Sequence, residues 1–138
     1  GGLHDRRGEM EEGKMRVRRL RIGIKSMDEV MSDFALAAKA LERGEHVVPK
    51  EGRYFTDLRA FRRAITDQRL AVLRTIKANG PESVYELAKI VKRDVKNVST
   101  DLAILEELGL VELKRTKTPR GKVKPTVSYD TINLDIAV

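Results

Sequence analysis

The 138-residue chain has no cysteine and no tryptophan, and only two histidines, three tyrosines and three phenylalanines. Without thiols there is no disulfide staple and no thiolate metal centre, and the composition fits an intracellular protein. His4 and His46 alone are too few for a histidine-rich zinc site. Long apolar runs are also missing. None approaches the roughly 20 residues that a helix needs to cross a bilayer, and no secretion signal is evident. The expectation is a soluble, cytoplasmic protein with no membrane association, no metal and no cofactor.

Catalytic arrangements are equally scarce. His46 has no Ser, Cys or acid motif beside it, and the glycines form neither a Walker-type loop nor a GxGxxG element. Asp94 and Asp101 lie seven residues apart on one expected helix, where a capping role and a helix-surface role account for them without acid-base chemistry. No catalytic residue is assigned, and the chain is not expected to be an enzyme.

What is present is apolar aliphatic sequence and positive charge. An apolar fraction of 41% at this length fits one domain, or one domain with an extension. With aromatics scarce, the core must come from Leu, Val, Ile and Ala, which suits helices with a few short strands. The formal net charge of +7 attracts polyanions, and it is shared by both halves of the chain. Local clusters therefore carry more information than the total.

Residues 1–14 show no hydrophobic periodicity and read as a flexible tail. In "MRVRRLRIGIKS", Leu20, Ile22 and Ile24 alternate with Arg19, Arg21 and Gly23, the period of a half-buried strand. Ser26 and Glu29 then form a capping box before a helix whose apolar positions include Met27, Val30, Met31, Phe34 and Leu41. Gly44 ends it. The Met27, Met31 and Phe34 stripe reads as core or dimer interface. Residues 45–56 read as a connection. "TDLRAFRRAIT" reads as a short helix with Leu58, Phe61 and Ile65 inward.

From Thr66 the pattern sharpens. Thr66 caps a helix with Leu70, Leu73 and Ile76 as its core stripe, and Asn79-Gly80-Pro81 stops it. Ser83 and Glu86 open a second helix, "VYELAKIV", and Lys92, Arg93 and Asp94 link it to a third over residues 94–108. On that third helix Val95, Val98, Leu102 and Leu105 share one stripe, with Leu108 at its edge. The other side carries Lys96 and Thr100, flanked by Asn97 and Ser99. Asp94 is the expected N-cap. The acids Glu106 and Glu107 fall at the far end.

Beyond Gly109, "LVELKRT", a basic loop and "VKPTVSYD" read as a hairpin, with Pro125 making its second strand an edge strand or a bulged one. Between residues 114 and 124 stand Lys114, Arg115, Lys117, Arg120, Lys122 and Lys124, with no acid among them. "TINLDIAV" alternates again and could pair within the domain or across a dimer.

The order helix, helix, three-residue turn, helix, basic hairpin is that of a winged helix-turn-helix, whose last helix enters the DNA major groove. A packing helix with a solvated polar face would show the same stripe; the caps, the turn length and the adjoining basic hairpin favour DNA. The segment "NGPESVYELAKIVKRDVKNVSTDLAILEELGLVELKR" and its hairpin resemble predicted archaeal and bacterial winged-helix transcriptional regulators, broadly MarR-like, some of them antitoxin-like partners of a toxin. The resemblance extends over roughly residues 15–130. It implies DNA binding as a dimer through the helix at 94–108 and the wing.

The expected architecture is α+β: a flexible tail (1–14), an N-terminal strand-helix extension serving dimerisation (15–65), a winged helix-turn-helix domain (66–129) and a C-terminal strand (130–138). The expected function is sequence-specific binding of double-stranded DNA by a transcriptional regulator acting as a homodimer. The candidate contacts are Lys92, Arg93, Lys96, Asn97, Ser99 and Thr100 from the turn and helix, and Arg115, Lys117, Arg120, Lys122 and Lys124 from the wing. Arg120-Gly121 at its tip is the candidate minor-groove element. The alternative is an antitoxin-like module that neutralises a partner toxin and regulates its own synthesis.

Overall fold

A computed structural model describes residues 16–45, 53–117 and 122–138. The tail at 1–14, both histidines and the tip residues Arg120 and Gly121 lie outside the described residues.

The alternating run forms β1 (Arg19–Ile24), with Ile22 almost fully buried and Arg19 and Arg21 exposed. Ser26 then caps α1 (Met27–Glu42), its hydroxyl accepting from the Glu29 N–H. A strand β2 (Arg53–Phe55) follows where a connection was expected, and it pairs in parallel with β1, Ile22 opposite Arg53. Three residues are too few to show a period. Their order comes from the neighbouring strand and not from local pattern.

Asp57 caps α2 (Leu58–Ala64) by accepting from the Ala60 N–H at 2.7 Å. Thr66 and Ser83 do the same for α3 (Asp67–Asn79) and α4 (Val84–Val91). After the three-residue turn comes α5 (Val95–Glu107), then the antiparallel pair β3 (Glu112–Arg115) and β4 (Val123–Thr126), and finally β5 (Thr131–Ile136). Pro125 sits opposite Leu113 in this two-stranded ladder and is buried, consistent with the edge position expected of it. The described chain is thus a mixed α+β fold.

The open question about the last strand has an intrachain answer. β5 pairs in parallel with β1 along its whole length, giving a three-stranded sheet in the order β2-β1-β5. Leu20 faces Ile132, Ile22 faces Leu134 and Ile24 faces Ile136, so the apolar residues of both strands line one face. That face joins the helices: Ile22 belongs to one buried cluster with Val72, Leu87, Val98, Leu102, Leu105 and Leu110, and Leu20, Ile132 and Leu134 pack against it. The N-terminal strand and the helical unit share a single core.

Two polar ties hold the sheet to the helices. Asp130 accepts from the Arg18 backbone N–H at 2.9 Å and from Lys77 Nζ of α3 at 3.1 Å, which together hold its carboxyl below the usual carboxylate range. Tyr129 donates its hydroxyl to the Leu110 carbonyl at 2.7 Å, just past α5.

Burial pushes the Tyr129 hydroxyl up to about 12, with the nearby Arg53 charge pulling weakly the other way. A phenol whose folded pKa exceeds its unfolded value of about 10 contributes stability that is complete below that value and declines as pH rises toward 12, because only the unfolded chain releases the proton there. Urea midpoints measured across pH 9 to 12 are therefore expected to fall more steeply for the native chain than for Tyr129→Phe.

Candidate nucleic-acid interface

Helix α5 is set by three nearly inaccessible side chains, Val98, Leu102 and Leu105, each contributing about 2 kcal/mol through burial. Val95, expected in the same stripe, is 37% exposed, so the anchoring begins one turn later. Asp94 caps the helix as expected, accepting from the Lys96 N–H at 3.2 Å. That bond satisfies one of the free donors at the helix start and occupies the single acid near the outward-facing end.

The side opposite the anchors is open. Lys96, Asn97, Ser99 and Thr100 are all exposed, and Glu106 and Glu107 are exposed only at the far end. Thr100 donates its hydroxyl to the Lys96 carbonyl at 3.0 Å, which leaves its oxygen as an acceptor. Asn97 and Ser99 keep both donor and acceptor capacity.

The turn before α5 carries an unusual conformation. Helices α1, α3 and α5 end at Gly44, Gly80 and Gly109, each with positive φ, as left-handed termination favours. Helix α4 ends instead at Lys92 with φ of 57°, the only non-glycine with positive φ among the described residues. The Arg93 N–H closes this turn on the Ala88 carbonyl at 3.1 Å. An L-residue holds this conformation at a cost of about 1 kcal/mol, and Lys92 is exposed. Lys92→Gly is expected to raise stability by up to about 1 kcal/mol in urea unfolding.

Arg93 is placed differently from its neighbours. Its guanidinium Nη1 donates to Asp101 Oδ2 at 2.8 Å, and the side chain is 22% exposed. Arg69 of α3 donates through Nε to the other Asp101 oxygen at 3.1 Å, and through Nη1 to the Arg63 and Ala64 carbonyls at the end of α2. Asp101 itself is 7% exposed, which corrects its assignment to the helix surface. Its angle explains the burial: it lies about 60° from the centre of the apolar stripe. One carboxylate thereby locks the turn, α3 and α5 together, and Arg69 extends the lock to α2. An acid inside the apolar arc was the sequence signal for this triad.

In the hairpin, Arg115, Lys117 and Lys122 are exposed, and Lys124 is half-buried with Nζ 3.3 Å from Glu82 Oε1. Register places Lys114 directly opposite Lys124. Like charges so paired repel, and a polyanion alongside would relieve the repulsion. Arg120, the candidate minor-groove residue, lies outside the described residues. No group of three or more His, Cys, Asp or Glu able to hold a metal is found among the described residues, and none of their helices is long and apolar enough to cross a membrane.

The elements that build this face, α3 to the hairpin and most of β5, coincide with a recognised family. Residues 64–134, just over half of the chain, match the HVO_A0114 family, and the chain belongs to it. Comparison with curated proteins and with solved structures gave no match.

Proposed function

We propose that the protein is a winged helix-turn-helix transcriptional regulator that binds double-stranded DNA as a homodimer and reads its sequence. Helix α5 enters the major groove, and the β3–β4 hairpin lies as the wing along the backbone or minor groove. The observation that carries this reading is the division of α5 into a buried anchor and an exposed face of Lys96, Asn97, Ser99 and Thr100, with its one nearby acid used as a cap. Asn97 suits bidentate pairing with adenine; Thr100 offers an acceptor and a methyl. Lys92 and Lys96 suit phosphate. Arg93 acts mainly as a positioning residue through Asp101. Arg115, Lys117, Lys122 and Lys124 supply charge from the wing.

Asn97→Ala is expected to weaken binding to a preferred duplex by roughly 5- to 150-fold, the value of one bidentate base contact, while leaving binding to random duplex nearly unchanged. Fluorescence anisotropy on the two duplexes measures this. Equal losses on both would remove base reading from Asn97. The antitoxin-like alternative gains support from the exposed apolar side of α1, which suits a protein partner; co-expression with the product of a neighbouring gene, followed by gel filtration, tests it.

A further inference from the structure

A cleft of about 600 Å³ opens between α2, α3 and the chain that runs from β4 into β5. Phe61 and Ile65 line it from the α2 side, Leu70 and Leu73 from α3, and Val127 and Ile132 from the β4–β5 side. Leu73 belongs to the buried cluster; the other five are half-buried, each packed against that cluster while also lining the cleft. Close-packed interiors leave few hollows larger than a water molecule, and water among aliphatic and aromatic side chains finds few hydrogen bonds. A hollow of this size and lining falls within the roughly 300–1,000 Å³ in which proteins hold small molecules.

The mouth of the cleft selects the charge of its occupant. Arg74 and Lys77 line it three residues apart on α3, a spacing that puts both on one side of the helix, and both are exposed. The other polar side chains there already have partners. Lys77 and Asp130 pair at 3.1 Å, Tyr129 donates to the Leu110 carbonyl at 2.7 Å, and Thr131 donates to Asn133 Oδ1 at 3.2 Å. The Arg74 guanidinium has no hydrogen-bond or ion-pair partner among the described residues. Arg74 and Lys77 against Asp130 therefore leave one positive charge at the edge of an apolar hollow. A guanidinium takes a carboxylate through two parallel N–H···O bonds. An ammonium ligand would meet a like charge, and a phosphate dianion would lose hydration against an apolar wall with a single free cation to compensate it.

We infer that this cleft binds a small monocarboxylic acid, with its carboxylate on Arg74 and its aliphatic or aromatic body against Phe61, Ile65, Leu70 and Ile132. Binding there is separate from DNA recognition and does not require it.

Decanoate and 1-naphthoate, titrated into the full chain by calorimetry, serve as the aliphatic and aromatic probes. At least one is expected to bind saturably, one molecule per chain. Decylammonium, with a similar tail and the opposite charge, should bind at least about 10-fold more weakly than decanoate or the better acid. Arg74→Gln should weaken the acid by about 10-fold or more, the effect of losing a charge-assisted pair, and leave decylammonium no weaker. Ala78 also lines the cleft and is exposed, so Ala78→Trp fills the hollow from its rim and should abolish binding with the far-UV circular dichroism unchanged. Failure of both acids to bind, binding of decylammonium equal to that of the acids, or native affinity in Arg74→Gln would overturn the inference. Acid binding that survives Ala78→Trp but is lost in Phe34→Glu would place the acid on the exposed side of α1 and overturn it as well.

Discussion

Asp101→Ala is expected to lower the unfolding free energy by about 3–5 kcal/mol, read as a drop in the urea midpoint at unchanged slope. The size follows from what is left behind. The Arg69 and Arg93 side chains, 17% and 22% exposed, would be deprived of their shared carboxylate and remain partly desolvated without a counter-charge. Removing one partner of a buried ion group is far costlier than replacing the whole group by apolar residues. On the proposed function the effect also reaches DNA reading, because Arg93 stands in the turn before α5 and Arg69 holds the carbonyl end of α2. The variant that still folds should therefore discriminate poorly between DNA sequences. A decrease below about 1 kcal/mol, the range of an exposed ion pair, would show that the triad does not fix α5.

Neutralising three exposed hairpin cations together, as Arg115→Gln, Lys117→Gln and Lys122→Gln, carries the largest expected effect on binding. Removing one cation from a DNA phosphate should reduce the slope of log affinity against log salt by about 0.9. Three such changes lower it by roughly 2.7, equivalent to about 500-fold at 0.1 M salt if the non-ionic part of the binding is unchanged. The weakening should be the same on preferred and random duplexes, since backbone contacts position the protein and carry no sequence information. This separates the wing from Asn97, whose replacement should affect the preferred duplex alone. A triple variant with the native salt slope would place the hairpin away from the phosphates.

Much of the helical unit was legible in the sequence because its signals are local. The caps at Ser26, Thr66, Ser83 and Asp94 each accept a backbone N–H two or three residues on. Val98, Leu102 and Leu105 recur at the helical period because one face is buried. The features that escaped are those set by distant chain. β2 is three residues long and takes its form from β1. The parallel pairing of β5 with β1 joins segments more than a hundred residues apart, which no local period reports. Asp101 was assigned by its residue type, whereas its partners Arg69 and Arg93 become visible only once α3 and α5 are packed. The stripe on α1 announced that something covers it, but not whether that cover belongs to the same chain. Among the described residues the exposed face of α1 meets solvent, which removes it from the core that the sequence had left open.

The strong and weak points of the site follow the same division. Lys96, Asn97, Ser99 and Thr100 are exposed as the helical angles required, Lys92 is exposed in the turn, and Arg115, Lys117 and Lys122 are exposed on the hairpin. Arg93 turned inward because a carboxylate lay within reach, and Lys124 bends to Glu82. Two cations counted toward DNA are thus partly engaged by the protein's own acids. The remaining charge still lies on the turn, the outer side of α5 and the hairpin.

The most direct measurement is selection of bound sequences by the full chain from a random duplex pool at physiological salt. The expected result is an inverted repeat with half-sites about one helical turn, roughly 34–36 Å, apart, with the preference relaxed at one position of each half-site when Asn97→Ala replaces the native chain. A bound pool with no shared sequence, or no binding that depends on salt, would contradict the reading of α5 as a helix that recognises DNA.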